Sequence, residues 1–189
     1  SQMELGKVIA ITGDGKGKTT AAVGIGLAFA LRGKPVRMVQ FLKGGSYTGE
    51  LLASQHFGEL FRIEQFGKSP ENAENIAKGT EKVKVQFREN RERGDCFAVA
   101  ALEQAKKYAL DPEVKVLILD EISSSIRREF VDLAEVIHLI LTKRDDLTLV
   151  LTGRQMRPEI VDISDECIEA TLKKHPIKKG IRARWGIEY

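Results

Sequence analysis

Four short runs of apolar residues mark out the chain: Leu5 to Thr12 (LGKVIAIT), Val36 to Leu42 (VRMVQFL), Val114 to Leu119 (VKVLIL) and Leu147 to Thr152 (LTLVLT). Near-continuous aliphatic runs of this length suit strands covered on both faces, as in a parallel sheet with crossover helices on either side. Between them the spacing predicts helices over Lys18 to Arg32, from about Asp95 to Leu110, and over Arg128 to Lys143. In the last of these Phe130, Leu133, Val136, Ile137 and Ile140 recur at helical intervals. Gly33 followed by Pro35 stops the first helix, and Pro158 opens a further short one. Cys167 to Leu172 and Ile181 to Ile187 read as two more strands. Alternating strands and helices predict a doubly wound α/β domain. Gly67 to Gly94, crowded with charge, breaks the order; it reads either as a solvated surface excursion or as a lid over a substrate.

Composition adds bounds. At 189 residues, 42% hydrophobic and 30% charged, the chain is expected to form one globular domain over residues 1–189. A formal charge of +3 is too small a surplus to point to nucleic acid. Cys96 and Cys167 are far apart and lack metal-site spacing, so two buried reduced thiols are expected rather than a disulfide framework or a zinc site. With no long apolar run and no basic-then-apolar leader, the expected location is the cytoplasm, without a membrane partner.

The chemistry concentrates in Ile11 to Gly24, ITGDGKGKTTAAVG. Gly17-Lys18-Thr19 matches the end of the Walker A pattern, while Thr12 stands where that pattern begins with glycine. Gly13, Gly15 and Gly17 let the backbone turn tightly with its amides inward, continuous with the positive end of the next helix. Lys18 supplies a point charge for phosphate, and the Thr19 hydroxyl is a magnesium ligand in such loops. Val116 to Glu121 (VLILDE) is an apolar strand ending in acid, which places Asp120 and Glu121 beside the metal. A dinucleotide fingerprint fails twice: its third glycine falls on Lys18, and the second strand ends Val39-Gln40-Phe41 without a ribose-gripping acid. The expected fold class is therefore α/β, P-loop NTPase-like (RecA-like), with an open, mainly parallel sheet and helices on both faces. The motif identifies a nucleoside triphosphate as the ligand and leaves its fate open.

Several further stretches resemble one family. TGDGKGKTTAA (Thr12 to Ala22), VQFLKG (Val39 to Gly44), Gly49-Glu50, LDEI (Leu119 to Ile122), LTGR (Leu151 to Arg154) and KHPIKKGIRARWGIEY (Lys174 to Tyr189) occur in the order seen in P-loop cob(I)alamin adenosyltransferases. The resemblance implies that the Co(I) of a reduced corrinoid attacks the 5′ carbon of ATP, releasing the whole triphosphate and forming the adenosyl cofactor. It also implies that ATP is held in the reverse sense to most P-loop enzymes.

By that resemblance Lys18, Thr19 and Glu121 form the catalytic set. Nucleotide contacts fall to Thr12, Gly13, Asp14, Gly15, Lys16, Gly17, Lys18, Thr19, Thr20, Gln40 and Arg154. Magnesium or manganese falls to Thr19, Asp120 and Glu121. Arg154 reads either as a nucleotide contact or as a surface ion pair; Gln40, Lys43 and Glu50 are candidates to line the site, and His175 reads as structural. His56 and His138 have no companions at metal-ligand spacing. The implied partners are ATP, the reduced corrinoid, a flavoprotein reductant and a second copy of the chain.

Two rival readings stand beside this one: a P-loop ATPase or phosphotransferase, and a non-catalytic nucleotide- or corrinoid-binding protein. Where several relatives carry closely spaced phenylalanine and tryptophan after the third strand, to displace a lower corrinoid ligand, this chain has FRIEQFGKSPENAENIAKG. Phe61 and Phe66 are its only aromatic residues there.

Overall fold

The computed structural model describes residues 4–41, 57–67, 84–86 and 95–173. In chain order its elements are β1 (Val8–Thr12), α1 (Lys18–Ala30), β2 (Val36–Phe41), a 3-10 turn (Gly58–Leu60), β3 (Phe61–Phe66) and β4 (Lys84–Gln86). There follow α2 (Asp95–Leu110), β5 (Val116–Asp120), α3 (Ile122–Arg127), α4 (Leu133–Thr142), β6 (Thr148–Thr152), α5 (Pro158–Asp162) and β7 (Glu166–Glu169). The strands form one sheet in the order β4-β3-β2-β5-β6-β1-β7. Every pairing in it is parallel, as the apolar runs predict.

Side-chain parity divides each strand between two cores. Ile9, Ile11, Val36, Met38, Phe61, Ile63, Val116, Ile118 and Val150 face α1, meeting Ala22, Val23 and Ala30. Their neighbours, including Val8, Ala10, Val39, Phe41, Leu117, Leu119 and Leu149, face α2, α3, α4 and α5 through such residues as Ala101, Ile122, Val136 and Ile160. The sheet is thus covered on both sides, and this accounts for strands that are apolar at nearly every position. Helix α1 approaches closely because Gly26 faces the sheet; a Cβ there would lie 2.5 Å from the Phe61 ring.

Three expectations are corrected. Phe61 to Phe66 is a full strand, not part of a connection, and both phenylalanines are buried in the core. The helix expected from Arg128 to Lys143 starts only at Leu133. Glu129 takes a positive φ of 59° after α3, and Asp132 opens α4 by accepting from the Ala134 amide at 3.1 Å. Cys167, expected to be buried, is exposed on edge strand β7. The side chain of Cys96, the remainder of the charged connection around β4, and the strand expected over Ile181 to Ile187 lie outside the described residues. Among the described residues no helix is long and apolar enough to cross a membrane.

The placement of Phe61 makes it a direct test of the sheet. Phe61→Ala is expected to lower the unfolding free energy by about 3–5 kcal/mol, the usual cost of emptying a buried phenylalanine site. Urea denaturation measures it, and a loss below about 1 kcal/mol would contradict a core position.

Candidate functional site

The polar residues of the site stand where the apolar strands end. Gln40 on β2 is in register with Asp120 on β5 and with Gln65 on β3, while Leu119 pairs with Leu151, which brings Thr152 beside Asp120. All four lie on the parity that faces α1, and all four side chains are buried. β1, which feeds the glycine loop, is separated from acid-tipped β5 by one strand, β6. The loop therefore meets Asp120 across the tip of β6, at the carboxyl edge where open α/β sheets bind ligands.

Backbone geometry shapes the loop. Gly13 and Gly17 have φ of 109° and 96°, conformations that disfavour any Cβ. At Gly13 a Cβ would also lie 2.2 Å from the Ala170 carbonyl oxygen. That carbonyl accepts from the Gly15 amide at 2.9 Å, and the Ala170 amide donates to Thr12 O at 2.8 Å, so the chain leaving β7 buttresses the loop. Gly17 caps α1 with no side-chain hydrogen bond, which leaves the first amides of a 13-residue helix directed at the loop.

Lys18 and Thr19 open α1. The Lys18 ammonium donates to Gly15 O at 2.7 Å and the residue is only 7% exposed. Burial pushes its pKa down; the negative charges of Glu121, Asp14 and Asp120 oppose that shift, and the positive charge of Arg154 reinforces it. The five charged groups are thus electrostatic neighbours. The Thr19 hydroxyl donates to Asp120 Oδ1 at 2.9 Å, and the Thr152 hydroxyl donates to the same oxygen at 2.7 Å. Gln40 Nε2 donates to Asp120 Oδ2 at 3.1 Å, and Gln65 Nε2 donates to Gln40 Oε1 at 2.8 Å.

Glu121 follows directly with φ 64°, a left-handed conformation that costs a non-glycine residue about 1–3 kcal/mol. Its amide donates to the Thr152 hydroxyl at 3.0 Å, and its carboxylate accepts from Ser124 at 3.3 Å. Thr19, Asp120 and Glu121 offer only oxygen, the donor set that suits magnesium or manganese. Among the described residues no group of three or more His, Cys, Asp or Glu side chains could hold a metal alone. Two or three protein oxygens completed by phosphate is the ordinary arrangement for magnesium.

The loop after β6 completes the arrangement. Gly153 has φ 143°, and a Cβ on it would lie 1.8 Å from Ser123 Oγ. Thr12 accepts from the Met156 amide at 3.0 Å, so the residue standing in place of the leading glycine ties the phosphate loop to the Arg154 loop. Arg127 donates to Arg154 O at 2.8 Å, and the exposed Arg154 side chain stands near enough to affect Lys18. Asp14, Lys16 and Thr20 are exposed around the loop. Lys43, Glu50, His56, His175 and residues 174–189 lie outside the described residues, and His138 is exposed on α4.

Sequence reasoning missed Thr152 and Gln65. Their signal is the polar residue that ends each apolar run, as in VQF, EQF, ILD and VLT, since alternation in a covered strand otherwise gives no reason for one.

Comparison with known proteins places the chain beside one family. Residues 4–189 match the family described as ATP:corrinoid adenosyltransferase BtuR/CobO/CobP. A corrinoid adenosyltransferase of Sinorhizobium sp is 34% identical over 188 residues, which cover 98% of this chain and 81% of that protein. Corrinoid adenosyltransferase CobA of Salmonella typhimurium is 31% identical over 189 residues, covering 100% of this chain and 88% of its own length. A corrinoid adenosyltransferase of Pseudomonas aeruginosa is 30% identical over 186 residues, covering 98% and 85%.

The burial of Lys18 gives a prediction in two parts. Lys18→Met is expected to be at least as stable as the wild type at neutral pH, because it removes a buried charge. It should also lose the stabilisation of about 2.7 kcal/mol that ATP gives the wild type at a hundred times its Kd. Since the folded pKa of Lys18 lies below the usual 10.5, the charge penalty is present in full at neutral pH and is relieved as pH rises toward that value. The stability gain of the variant should therefore shrink in alkaline buffer. Thermal unfolding with and without ATP reads both parts, and an undiminished ATP shift in the variant would contradict the site.

Proposed function

The chain belongs to the ATP:corrinoid adenosyltransferase family, and from that membership we propose that it transfers the 5′-deoxyadenosyl group of ATP to the Co(I) of a reduced corrinoid. The observation that carries the mechanism is the convergence of the glycine loop, buried Lys18 and the Thr19–Asp120 pair at one sheet edge. In the proposed step a cobalt electron pair forms the bond to C5′ while the bond from C5′ to its ester oxygen breaks. The bonding electrons leave with the triphosphate, and cobalt passes from Co(I) to Co(III). No proton needs to move, so the step requires neither a general base nor an activated Ser, Cys or His.

The protein's task is to align two reactants and to stabilise a highly charged leaving group. Positioning of this kind is worth about 7–11 kcal/mol when the geometry is good. The loop amides and the N-terminus of α1 face the departing phosphates, with Lys18 as a point charge and Lys16 and Arg154 at the rim. Thr12, Gly13, Asp14, Gly15, Gly17 and Thr20 complete the cradle, and Gln40 supports it from within the sheet through Asp120. Thr19 and Glu121, with Asp120, would hold magnesium or manganese, which would supply positive charge to the leaving group. On this reading the chain works as one cytoplasmic domain, paired with a second copy, and a flavoprotein supplies the electrons that reduce the corrinoid. With Phe61 and Phe66 committed to the core, any displacement of a lower corrinoid ligand falls to residues outside β3.

The test supplies chemically reduced corrinoid and Mg-ATP under anaerobic conditions. Loss of the Co(I) absorbance with release of intact triphosphate is expected. ADP with inorganic phosphate would instead favour an ATPase or phosphotransferase, and saturable ATP binding without turnover would favour a binding protein.

A further inference from the structure

We propose that Gln65 is a positioning residue for the phosphate and metal site, acting on Asp120 through Gln40 by a buried chain of two side-chain amides. This rests on the reading that places Thr19 and Asp120 at the metal-bearing end of the site.

The argument starts from which partners each group can accept. A carboxylate only accepts, so Gln40 must turn its Nε2 toward Asp120 Oδ2, 3.1 Å away. That leaves Gln40 Oε1 directed at β3, where it needs a donor, and Gln65 Nε2 provides one at 2.8 Å. Polarity therefore propagates in one direction, from β3 across β2 to β5, through residues in register on adjacent parallel strands.

The cost of this arrangement falls on Gln65. With its Nε2 committed to Gln40, its own Oε1 is buried with no hydrogen-bond partner, in a residue that is 0% exposed. An apolar side chain of the same length would remove that stranded acceptor but leave Gln40 Oε1 without its donor, so hydrogen bonding within the sheet favours neither choice. The sheet thus gains little from glutamine here, whereas the site gains a fixed orientation of Gln40. The amide chain fixes the rotation of the Asp120 carboxylate, so that Oδ1 is presented to the Thr19 and Thr152 hydroxyls. Thr19 is in turn the loop residue that the metal requires. Removing the outer amide would let Gln40 turn and Asp120 rotate, at a distance from every reacting atom.

The experiment is a double-mutant cycle with Gln65→Met, Gln40→Met and the double variant. It reads urea stability and the affinity of each protein–ATP complex for Mn2+ by electron paramagnetic resonance. Gln65→Met exchanges the stranded Gln65 Oε1 for a stranded Gln40 Oε1, so its stability is expected to stay close to that of the wild type, while Mn2+ binding weakens about tenfold, the usual scale for residues behind metal ligands. Because Gln65 acts through Gln40, adding Gln65→Met to Gln40→Met should change the affinity no further. Additive losses, an unchanged Mn2+ affinity in Gln65→Met, or a marked loss of stability in that variant would each overturn the proposal. Failure of the wild-type ATP complex to bind Mn2+ would instead refute the metal site on which it rests. In turnover the effect should appear in kcat at saturating ATP and corrinoid, where a merely structural change would leave it intact.

Discussion

Three side-chain donors, from Thr19, Thr152 and Gln40, converge on the buried carboxylate of Asp120, and this convergence ties the phosphate loop to the sheet. It exists because the strands are parallel and in register, so that each contributes its carboxyl-terminal residue to the same edge. A buried carboxylate is costly unless its oxygens are satisfied. Here one donor comes from α1, one from β6 and one from β2, so the same bonds that satisfy Asp120 also fix the loop's position against three elements.

The site collects local costs. Lys18 buries an ammonium group, Glu121 adopts a left-handed backbone, Gly153 leaves room for Ser123, and Gln65 strands an acceptor. The two apolar cores that sandwich the sheet offset these costs, and in exchange the charges are held together at one sheet edge. For adenosyl transfer that is the relevant economy, because the nucleophile is the substrate's own metal and the protein's contribution is orientation and charge.

Some elements were legible in the sequence and others were not. Residues Val8 to Thr12, Val116 to Asp120 and Thr148 to Thr152 are plain as strands because both of their faces are covered and every side chain between their end residues is apolar. FRIEQF hides its strand behind three polar residues. Each has a partner that sequence cannot show: Arg62 pairs with Glu59, Glu64 accepts from Tyr108 on α2, and Gln65 donates to Gln40. The helix expected across Arg128 to Lys143 starts only at Leu133, yet the periodic pattern begins ahead of it, since Phe130 and Val131 pack inward beyond the turn at Glu129. Periodicity reports which side chains are buried, not whether hydrogen bonding is continuous.

Within the site, ITGDGKGKTT and VLILDE carried their own meaning. A glycine-rich turn ahead of Lys-Thr and an acid at a strand end are local in sequence, so the ligand class could be read directly, and the structure brings Lys18, Thr19 and Asp120 to one sheet edge. Tertiary structure alone decided that Thr12 serves the Arg154 loop, that Thr152 shares Asp120 with Thr19, and that Gln65 lies behind both. These relations join residues 25 to 144 positions apart through strand order and register. Such pairings depend on which strands lie side by side, and a linear pattern of polar and apolar residues does not encode that order.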